Sequence, residues 1–280
     1  MTQGWVVASA LAAVLICAAP ARPDSGADAL HRPLDEVLDV YVRDGLVYYR
    51  ALRAERRRLD GYLASLERLP SGTVAGWSRE AQIAFWLNAY NALVLRSVVN
   101  AYPIAGKSRD YPRNSIRQIP GVFDRVEHRI AGRALTLDAI ELEMLAPFGD
   151  ARTVFALGRG SVGGGRLRSE AFSADRLESQ LQQVAAELPT RRELLRIGIE
   201  DGEVSVSPLF SWREALIVRS YADKADPRFA GRSPIERAIV ALAGPHLLPG
   251  ERALLSGNTF KVRFHEYDWR LNDLTAGGPR

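Results

Sequence analysis

The chain has 280 residues, of which 47% are hydrophobic and 25% are charged. These values are typical of a globular protein and exclude a disordered chain, a collagen and a simple coiled coil. The formal net charge of +4, from 37 basic and 33 acidic residues, gives no strong field that would favour nucleic acid as a partner.

The first segment of the chain predicts export. Trp5 to Ala19 is an apolar run without a charge, too short for a membrane span of about 20 residues. Ala19-Pro20-Ala21 fits the pattern of a signal peptidase site, so we predict a signal peptide over residues 1–21 and a periplasmic or extracellular mature protein without a transmembrane span. Two alternatives remain, a lipoprotein anchored to the membrane through Cys17 and a buried N-terminal helix. Because Cys17 is the only cysteine, cleavage after Ala21 leaves no thiol for catalysis or for a metal.

Residues 22–29 are predicted to form a linker, and residues 30–280 a single domain. The spacing of apolar residues from Leu34 to Tyr41 predicts a first helix that Gly45 ends. A helix over residues 79–101 is predicted to begin at Ser78, to stop at Pro103 and to be buried on all faces. Further helices are predicted over residues 52–69, 137–145 with Thr136 as N-cap, from Ser173 to about 187, 210–221 and 234–243.

Strands are predicted between these helices. They cover residues 126–130, 153–157, 195–199, 204–206 and 259–264, and Asp201-Gly202 joins the third and fourth as a hairpin. The sequence therefore predicts an α+β fold, a helix-dominated single domain around a small, mostly antiparallel sheet.

The most unusual local sequence is the glycine loop, residues 158–165. It contains Gly-x-Gly-x-x-Gly after a predicted strand, but a dinucleotide site needs a helix that starts at the last glycine, so we predict no nucleotide cofactor. Arg159 also breaks the Gly-x-Ser-x-Gly elbow that would make Ser161 a hydrolase nucleophile. Backbone N–H groups flanked by Arg159, Arg166 and Arg168 are able to hold an anion. The favoured alternative is a tight turn without a ligand.

Histidines and buried amides give few further candidates. Four isolated histidines show no metal-ligand spacing, so no metal site is predicted. His265, beside Glu266, is a candidate base, although the end of a strand is the favoured interpretation. Asn88 and Asn91 lie in the helix predicted to be buried, where they are expected to bond loop backbone, with a substrate role as the alternative.

Three segments together resemble the domain of unknown function 547 family. They are Phe85-Trp-Leu-Asn-Ala-Tyr-Asn-Ala-Leu93, Leu135-Thr-Leu-Asp-Ala-Ile-Glu141 and Tyr267-Asp-Trp-Arg-Leu-Asn272. In order and spacing they follow the family pattern, and the resemblance extends over residues 82–272.

The chain departs from that family in and around the glycine loop and directly after Ile140-Glu141. The family loop reads His-Phe-Ala-Leu-Asn-Cys-x-Ser-x-x-Cys-Pro, and here Arg159 and Gly164 replace the cysteines and Gly158 the asparagine. The family histidine after Ile-Glu is replaced by Leu142. If that cysteine and histidine form a thiol site in relatives, this chain lacks nucleophile and base together.

The sequence therefore favours an exported, catalytically silent protein that binds an anionic small molecule or an envelope partner, without a cofactor. The binding residues that we expect are Asn88, Asn91, Arg159, Arg166 and Asn272. One alternative is a cell-envelope hydrolase or transferase that uses Ser161 with Glu141 or His265. The other is a structural envelope protein.

Overall fold

The computed structural model describes residues 25–276, and helices dominate them. The α-helices are, in chain order, α1 (Ser25–Tyr41), α2 (Tyr49–Ala54), α3 (Arg57–Arg68), α4 (Arg79–Ala101), α5 (Leu137–Ala139), α6 (Arg152–Ala156), α7 (Leu177–Ala186), α8 (Leu209–Trp212), α9 (Glu214–Tyr221), α10 (Pro234–Ala243) and α11 (Pro249–Ser256). The predicted signal peptide and Cys17 lie outside the described residues. Between residues 25 and 276, no helix has the length and apolar character to cross a membrane.

The described strands are short and form three small sheets. They are β1 (Val42–Arg43), β2 (Leu46–Val47), β3 (His128–Ile130), β4 (Arg133–Leu135), β5 (Leu195–Gly198), β6 (Glu203–Val206) and β7 (Lys261–Phe264). β1–β2, β3–β4 and β5–β6 pair antiparallel, whereas β7 adds to β6 in parallel after α8–α11. The predicted helix-dominated α+β fold with a mostly antiparallel sheet is confirmed.

The N-terminal part differs from the predicted boundaries. Because α1 begins at Ser25, residues 25–29 of the predicted linker are helical. Gly45 does not end this helix; it follows Asp44 in a tight turn between β1 and β2, where both residues have positive φ angles of 80° and 49°. Asp-Gly is typical of such hairpin turns. The helix predicted over residues 52–69 is divided into α2 and α3.

Helix α4 forms the centre of the core. Its predicted bounds are confirmed, and the Ser78 side chain accepts a hydrogen bond from the Ala81 N–H at 3.1 Å, as an N-cap does. Residues on every face of α4 are buried, and α1, α2 and α3 pack against it. The middle of α4 is therefore placed to present side chains to the loops that cross the core.

The prediction of a strand over residues 153–157 is wrong, because this segment forms α6. Thr153 to Ala156 are all buried, so their apolar run has no alternation that separates a helix from a strand. The Thr153 hydroxyl donates to the Asp150 carbonyl at 2.7 Å, which closes the first turn of the helix. Consequently the glycine loop follows a helix.

The other elements follow the prediction with local shifts. Thr136 caps α5, which continues as a π-helix over Ile140–Leu145. α7 begins four residues after Ser173, whose hydroxyl instead donates to Asp175. The hairpin of β5 and β6 around Asp201-Gly202 is confirmed, as is α10.

Candidate functional site

The glycine loop is packed inside the protein. All residues from 158 to 165 are buried, and most of their N–H groups donate to protein oxygens. Val162 donates to the Arg270 carbonyl, Gly163 to that of Asp268 and Gly165 to that of Leu157, at 2.9, 2.9 and 3.1 Å. These N–H groups therefore do not form the anion cradle that the sequence allowed, because the fold itself occupies them.

Close packing explains why the loop contains glycine. Gly160 has a positive φ of 62°, and a Cβ there would lie 2.9 Å from Cδ1 of Ile116. A Cβ on Gly165 would lie 1.9 Å from the Phe155 carbonyl oxygen. These distances leave no room for a side chain, so the geometry favours the tight-turn interpretation.

The three asparagines of the predicted site bind backbone. Asn88 donates to the Phe172 carbonyl at 2.8 Å and accepts from the Phe172 N–H at 2.9 Å. Asn91 joins the Ala156 carbonyl to the Gly158 N–H in the same way. Asn272 donates to the Gly45 carbonyl and accepts from the Tyr49 hydroxyl, both at 2.8 Å. Their amides fasten loops to the core and are already hydrogen bonded.

Arg159 and Glu141 form a buried ion pair. Each is 4% exposed; the Arg159 guanidinium donates to Glu141 and to the Val154 carbonyl, and Arg213 Nε donates to the same Glu141 oxygen at 2.7 Å. Burial raises the pKa of Glu141, but the two arginines outweigh it and hold that pKa below its ordinary value. Burial likewise opposes the charge on Arg159, and Glu141 outweighs it, so that the pKa of Arg159 is raised.

Ser161 is not hydrogen bonded to either of its predicted partners. Its hydroxyl pairs with the Tyr267 hydroxyl at 2.8 Å, and burial raises the pKa of Tyr267 to about 12. His265 contacts the Ser205 hydroxyl at 3.2 Å and the Glu193 carbonyl at 3.0 Å. Glu141 is held by two arginines. The structure therefore does not bring these groups together as a nucleophile and its base.

Arg159, in the glycine loop, and Arg166, directly after it, line different cavities. Arg166 lines a cavity of about 480 Å³ together with Ser161 and Asn272, which we call the Ser161 cavity. There Arg166 forms ion pairs with Asp44 and Glu187 at 3.1 and 3.0 Å. Arg159 instead lines a second cavity, so no single cavity contains all the predicted binding residues.

The second cavity is an aromatic cleft of about 290 Å³. Its lining residues are Tyr90, Tyr111, Arg117, Phe123, Asp138, Glu141, Arg159, Trp212, Arg213 and Trp269. Tyr90 and Trp269 fall in the motifs that resemble the family and Trp212 in a predicted helix, whereas Tyr111, Arg117 and Phe123 lie in a segment that carried no signal. Only the fold brings these distant segments together.

Arg117 is exposed at the mouth of the aromatic cleft. Its guanidinium carbon lies 4.9 Å from the centre of the Tyr111 ring, 5.2 Å from Trp269 and 5.8 Å from Phe123, within the range of cation–π attraction. Its Nη2 donates to the Tyr111 hydroxyl at 2.9 Å. Within residues 25–276, no carboxylate forms an ion pair with Arg117. The cleft thus presents a cation whose counter-ion is not supplied by the described part of the chain.

Two further polar groups of the aromatic cleft have incomplete partners. The Tyr90 hydroxyl is buried and has no hydrogen-bond partner among the described residues. Asp138 is half-buried, and burial together with the charge of Glu141 raises its pKa against the opposing effect of Arg213. With both carboxylates ionised, the cleft contains one more cation than anions. Unpaired buried donors of this kind are completed by a ligand or by water.

Within residues 25–276, no group of three or more His, Cys, Asp or Glu side chains is arranged so that it could hold a metal ion. The polar groups of the aromatic cleft are mainly guanidinium and hydroxyl donors, which suit an anion.

Comparisons with known proteins agree with the sequence resemblance. No curated protein and no solved structure matches the chain. One segment of the chain matches a protein-family model, and it includes α4 and the glycine loop but not the closing motif at residues 267–272. Residues 74–188 match the family described as "Protein of unknown function, DUF547", which confirms the family that the sequence motifs predicted.

Proposed function

We propose that this protein is an exported, catalytically silent binding protein that holds a small, planar, anionic molecule in the aromatic cleft. The observation that carries the proposal is Arg117, a cation stacked on three aromatic rings with no carboxylate partner among the described residues. A ring that carries a carboxylate matches both features, because its face stacks on an indole and its charge pairs with the guanidinium.

The shape of the aromatic cleft supports a ligand with one ring. Trp212 is 44% exposed, and its ring stacks on that of Trp269 with centroids 6.0 Å apart and an interplanar angle of 20°. A volume of about 290 Å³ is at the lower end of small-molecule sites, which run from roughly 300 to 1,000 Å³. A cleft of this volume matches a single aromatic carboxylate.

The binding experiment uses the tryptophans as reporters. Titration of the protein with benzoate, followed by tryptophan fluorescence, is expected to saturate, and uncharged benzamide is expected to bind at least about tenfold more weakly. Arg117→Gln should weaken benzoate by about tenfold, since a hydrogen bond to a charged group contributes roughly 1.5–3 kcal/mol. Arg113→Gln is the matched control, because Arg113 is exposed in the same segment but does not line the cleft. Equal affinity of wild type and Arg117→Gln, or of benzoate and benzamide, would contradict the proposal.

Catalytic silence is supported by three side chains. Arg159 stands at the position of the family cysteine and is committed to Glu141. Leu142 stands at the position of the family histidine and is 47% exposed. The third, Ser161, is bonded to Tyr267. A fluorophosphonate probe, which labels activated serines, is expected not to modify the protein. Labelling that disappears in Ser161→Ala would instead support the hydrolase alternative.

Export is supported by the sequence pattern of residues 1–21. Fractionation of cells that express the full chain should place the protein outside the cytoplasm, with Arg22 as its first residue by N-terminal sequencing. A mature protein that begins with lipid-modified Cys17 would establish the lipoprotein alternative. An unprocessed protein in the cytoplasm would overturn the proposal of export.

A further inference from the structure

A separate cavity of about 650 Å³ lies between α3, the C-terminal half of α4 and the segment that leads into β3. We call it the arginine cavity; its polar lining consists of Arg56, Asp60, Arg96, Ser97, Asn100 and His128. None of its lining residues lines the aromatic cleft. Whatever it binds is therefore recognised by a different set of groups.

Arg96 is a half-buried cation without a counter-ion. Among the described residues, its side chain has one hydrogen bond, from Nη2 to Nδ1 of His128 at 3.2 Å, and it takes part in no ion pair. Burial lowers the pKa of Arg96, and Asp60 and Glu67 oppose this only at longer range. Because a guanidinium carries five N–H donors, most of the hydrogen-bonding capacity of Arg96 is unused by the protein.

His128 does not compensate the charge of Arg96. Arginine only donates, so Nδ1 of His128 accepts and the proton of the neutral ring resides on Nε2. Burial, assisted by the positive charge of Arg96, lowers the pKa of His128 to about 4. The buried Nε2 has no partner among the described residues. His128 therefore orients Arg96 as a neutral acceptor.

The one carboxylate that lines the arginine cavity is already paired. Asp60 accepts from Nε and Nη2 of Arg56 at 2.6 and 3.1 Å. The same Arg56 donates to Oδ1 of Asn100 at 2.7 Å, which leaves the Asn100 amide N–H groups as donors. Two arginines thus line the cavity against one carboxylate, an excess of one positive charge.

The remaining wall of the arginine cavity is apolar. It is formed by Ala101, Ile119, Val122 and Val126. Val126 is 38% exposed. An apolar ligand group that covered it would remove apolar surface from water and so favour binding. From the unpaired Arg96 and this apolar wall, we propose that the arginine cavity binds a monoanion with a short alkyl chain, namely an alkyl carboxylate, with its carboxylate on Arg96 and its chain on the valines.

Calorimetric titration of the purified protein with octanoate tests this proposal. We expect saturable binding that octanol, which has the chain without the charge, and inorganic phosphate, which has charge without the chain, do not reproduce. If octanol binds as tightly as octanoate, Arg96 does not contribute to the affinity. If phosphate binds as tightly, the apolar wall does not contribute to it. Either result, like no binding of octanoate, overturns the proposal.

Two variants locate the bound octanoate. Arg96→Gln should weaken it by about tenfold or more, and Arg53→Gln, an exposed arginine of α2 that lines neither cavity, should not. Ala101→Glu places a like charge at the exposed rim while it leaves Arg96 in position, and should weaken octanoate more than neutral Ala101→Gln does. Because Ala101 is exposed, this pair keeps the test decisive if Arg96→Gln does not fold. Unchanged affinity in both charge variants would overturn the proposal.

The test is independent of the proposed function. Arg117→Gln is expected to weaken benzoate and not octanoate, and Arg96→Gln to weaken octanoate and not benzoate. If octanoate instead loses affinity in Arg117→Gln and keeps it in Arg96→Gln, it binds in the aromatic cleft, and the arginine cavity has no role in its binding.

Discussion

The two sides of the glycine loop differ in how their charges are balanced. In the Ser161 cavity, Arg166 is paired with Asp44 and Glu187. In the aromatic cleft, Glu141 is shared by Arg159 and Arg213, and Arg117 rests on aromatic rings without a carboxylate. The Ser161 cavity is the larger of the two, yet the smaller one has the groups that a ligand would complete. Unpaired polar groups, more than volume, thus identify the better candidate site.

The largest expected effect concerns the contribution of the Arg159–Glu141 ion pair, which lines the aromatic cleft, to the stability of the fold. Glu141→Gln keeps the shape of the side chain but leaves Arg159 buried without a counter-charge, and should lower the free energy of unfolding by about 3–5 kcal/mol. Urea denaturation measures this difference. Glu143→Gln, an exposed neighbour in the same π-helix, should change it by less than about 0.5 kcal/mol. A loss in Glu141→Gln no greater than in this control would show that the pair does not stabilise the fold.

Acid should remove the same contribution. The pKa of Glu141 is lower in the folded protein than in the unfolded chain, so its contribution is complete above the unfolded value of about 4.5 and is lost as the pH falls through the folded value. The difference in unfolding free energy between wild type and Glu141→Gln should therefore shrink on acidification. A difference that stays constant from neutral pH to about pH 3 would contradict this assignment of the pKa shift.

A change at Asn91 tests whether the loop between the two sides is held from α4. Asn91→Ala removes the bonds to the Ala156 carbonyl and the Gly158 N–H and leaves both groups buried. We expect a loss of about 2–3 kcal/mol in unfolding free energy, because each unsatisfied buried group costs roughly 1–3 kcal/mol. Asn100→Ala, at the exposed end of the same helix, serves as the comparison and should lose much less, because the hydrogen bond that it accepts from Arg56 is exposed to solvent. Equal losses in the two variants would show that Asn91 does not fasten the loop.

A smaller effect is expected for the link between Ser161 and Tyr267. Tyr267→Phe removes only the hydroxyl that bonds Ser161, and should lower the unfolding free energy by about 1 kcal/mol. Benzoate affinity should be unchanged, since Tyr267 supports Trp212 and Trp269 by ring packing, which phenylalanine retains. A large loss of benzoate binding would show that the two sides of the loop are coupled through this hydroxyl.

The smallest effect is expected on the Ser161 side. Arg166 is 37% exposed at its side chain, so its ion pairs with Asp44 and Glu187 are screened by solvent. Arg166→Gln should change the free energy of unfolding by no more than about 1 kcal/mol. Thermal denaturation at low and high salt provides the measurement. A loss comparable to that of Glu141→Gln would show that the ion pairs of Arg166 stabilise the fold as much as the buried pair of Arg159 and Glu141 does.

The sequence predicted elements whose signals are local. The bounds of α4 follow from Ser78 at its start and Pro103 beyond its end, and the start of α10 is set by its first residue, Pro234. The helix α6 was missed because its residues are buried regardless of face, so packing against α7 and not periodicity decides its form. Helix ends that are set by capping residues can thus be predicted from the sequence, whereas a segment that tertiary packing makes a helix and not a strand cannot.

The candidate site was predicted only in part, for a similar reason. Asn88 and Asn91 were expected to bind backbone, and they do. The direction of Arg159 was not predictable, because a glycine-rich loop with arginines suggests a solvated surface, whereas here close packing buries it. Tyr111 and Phe123 join the aromatic cleft from a segment whose regular structure is limited to a short 3-10 helix at Ile116–Gln118. No spacing rule connects such residues to Trp212 or Trp269.

The ion pair of Arg159 limits which residues the loop tolerates at position 159. Arg159→Cys would remove the donor to the Val154 carbonyl and one of the two cations that hold Glu141. It would also open a void in close-packed interior, which is destabilising in itself. Arginine at position 159 is therefore required by the packing and the charge around it. A cysteine there would be accommodated only together with changes at Glu141 and at the residues that would line the void.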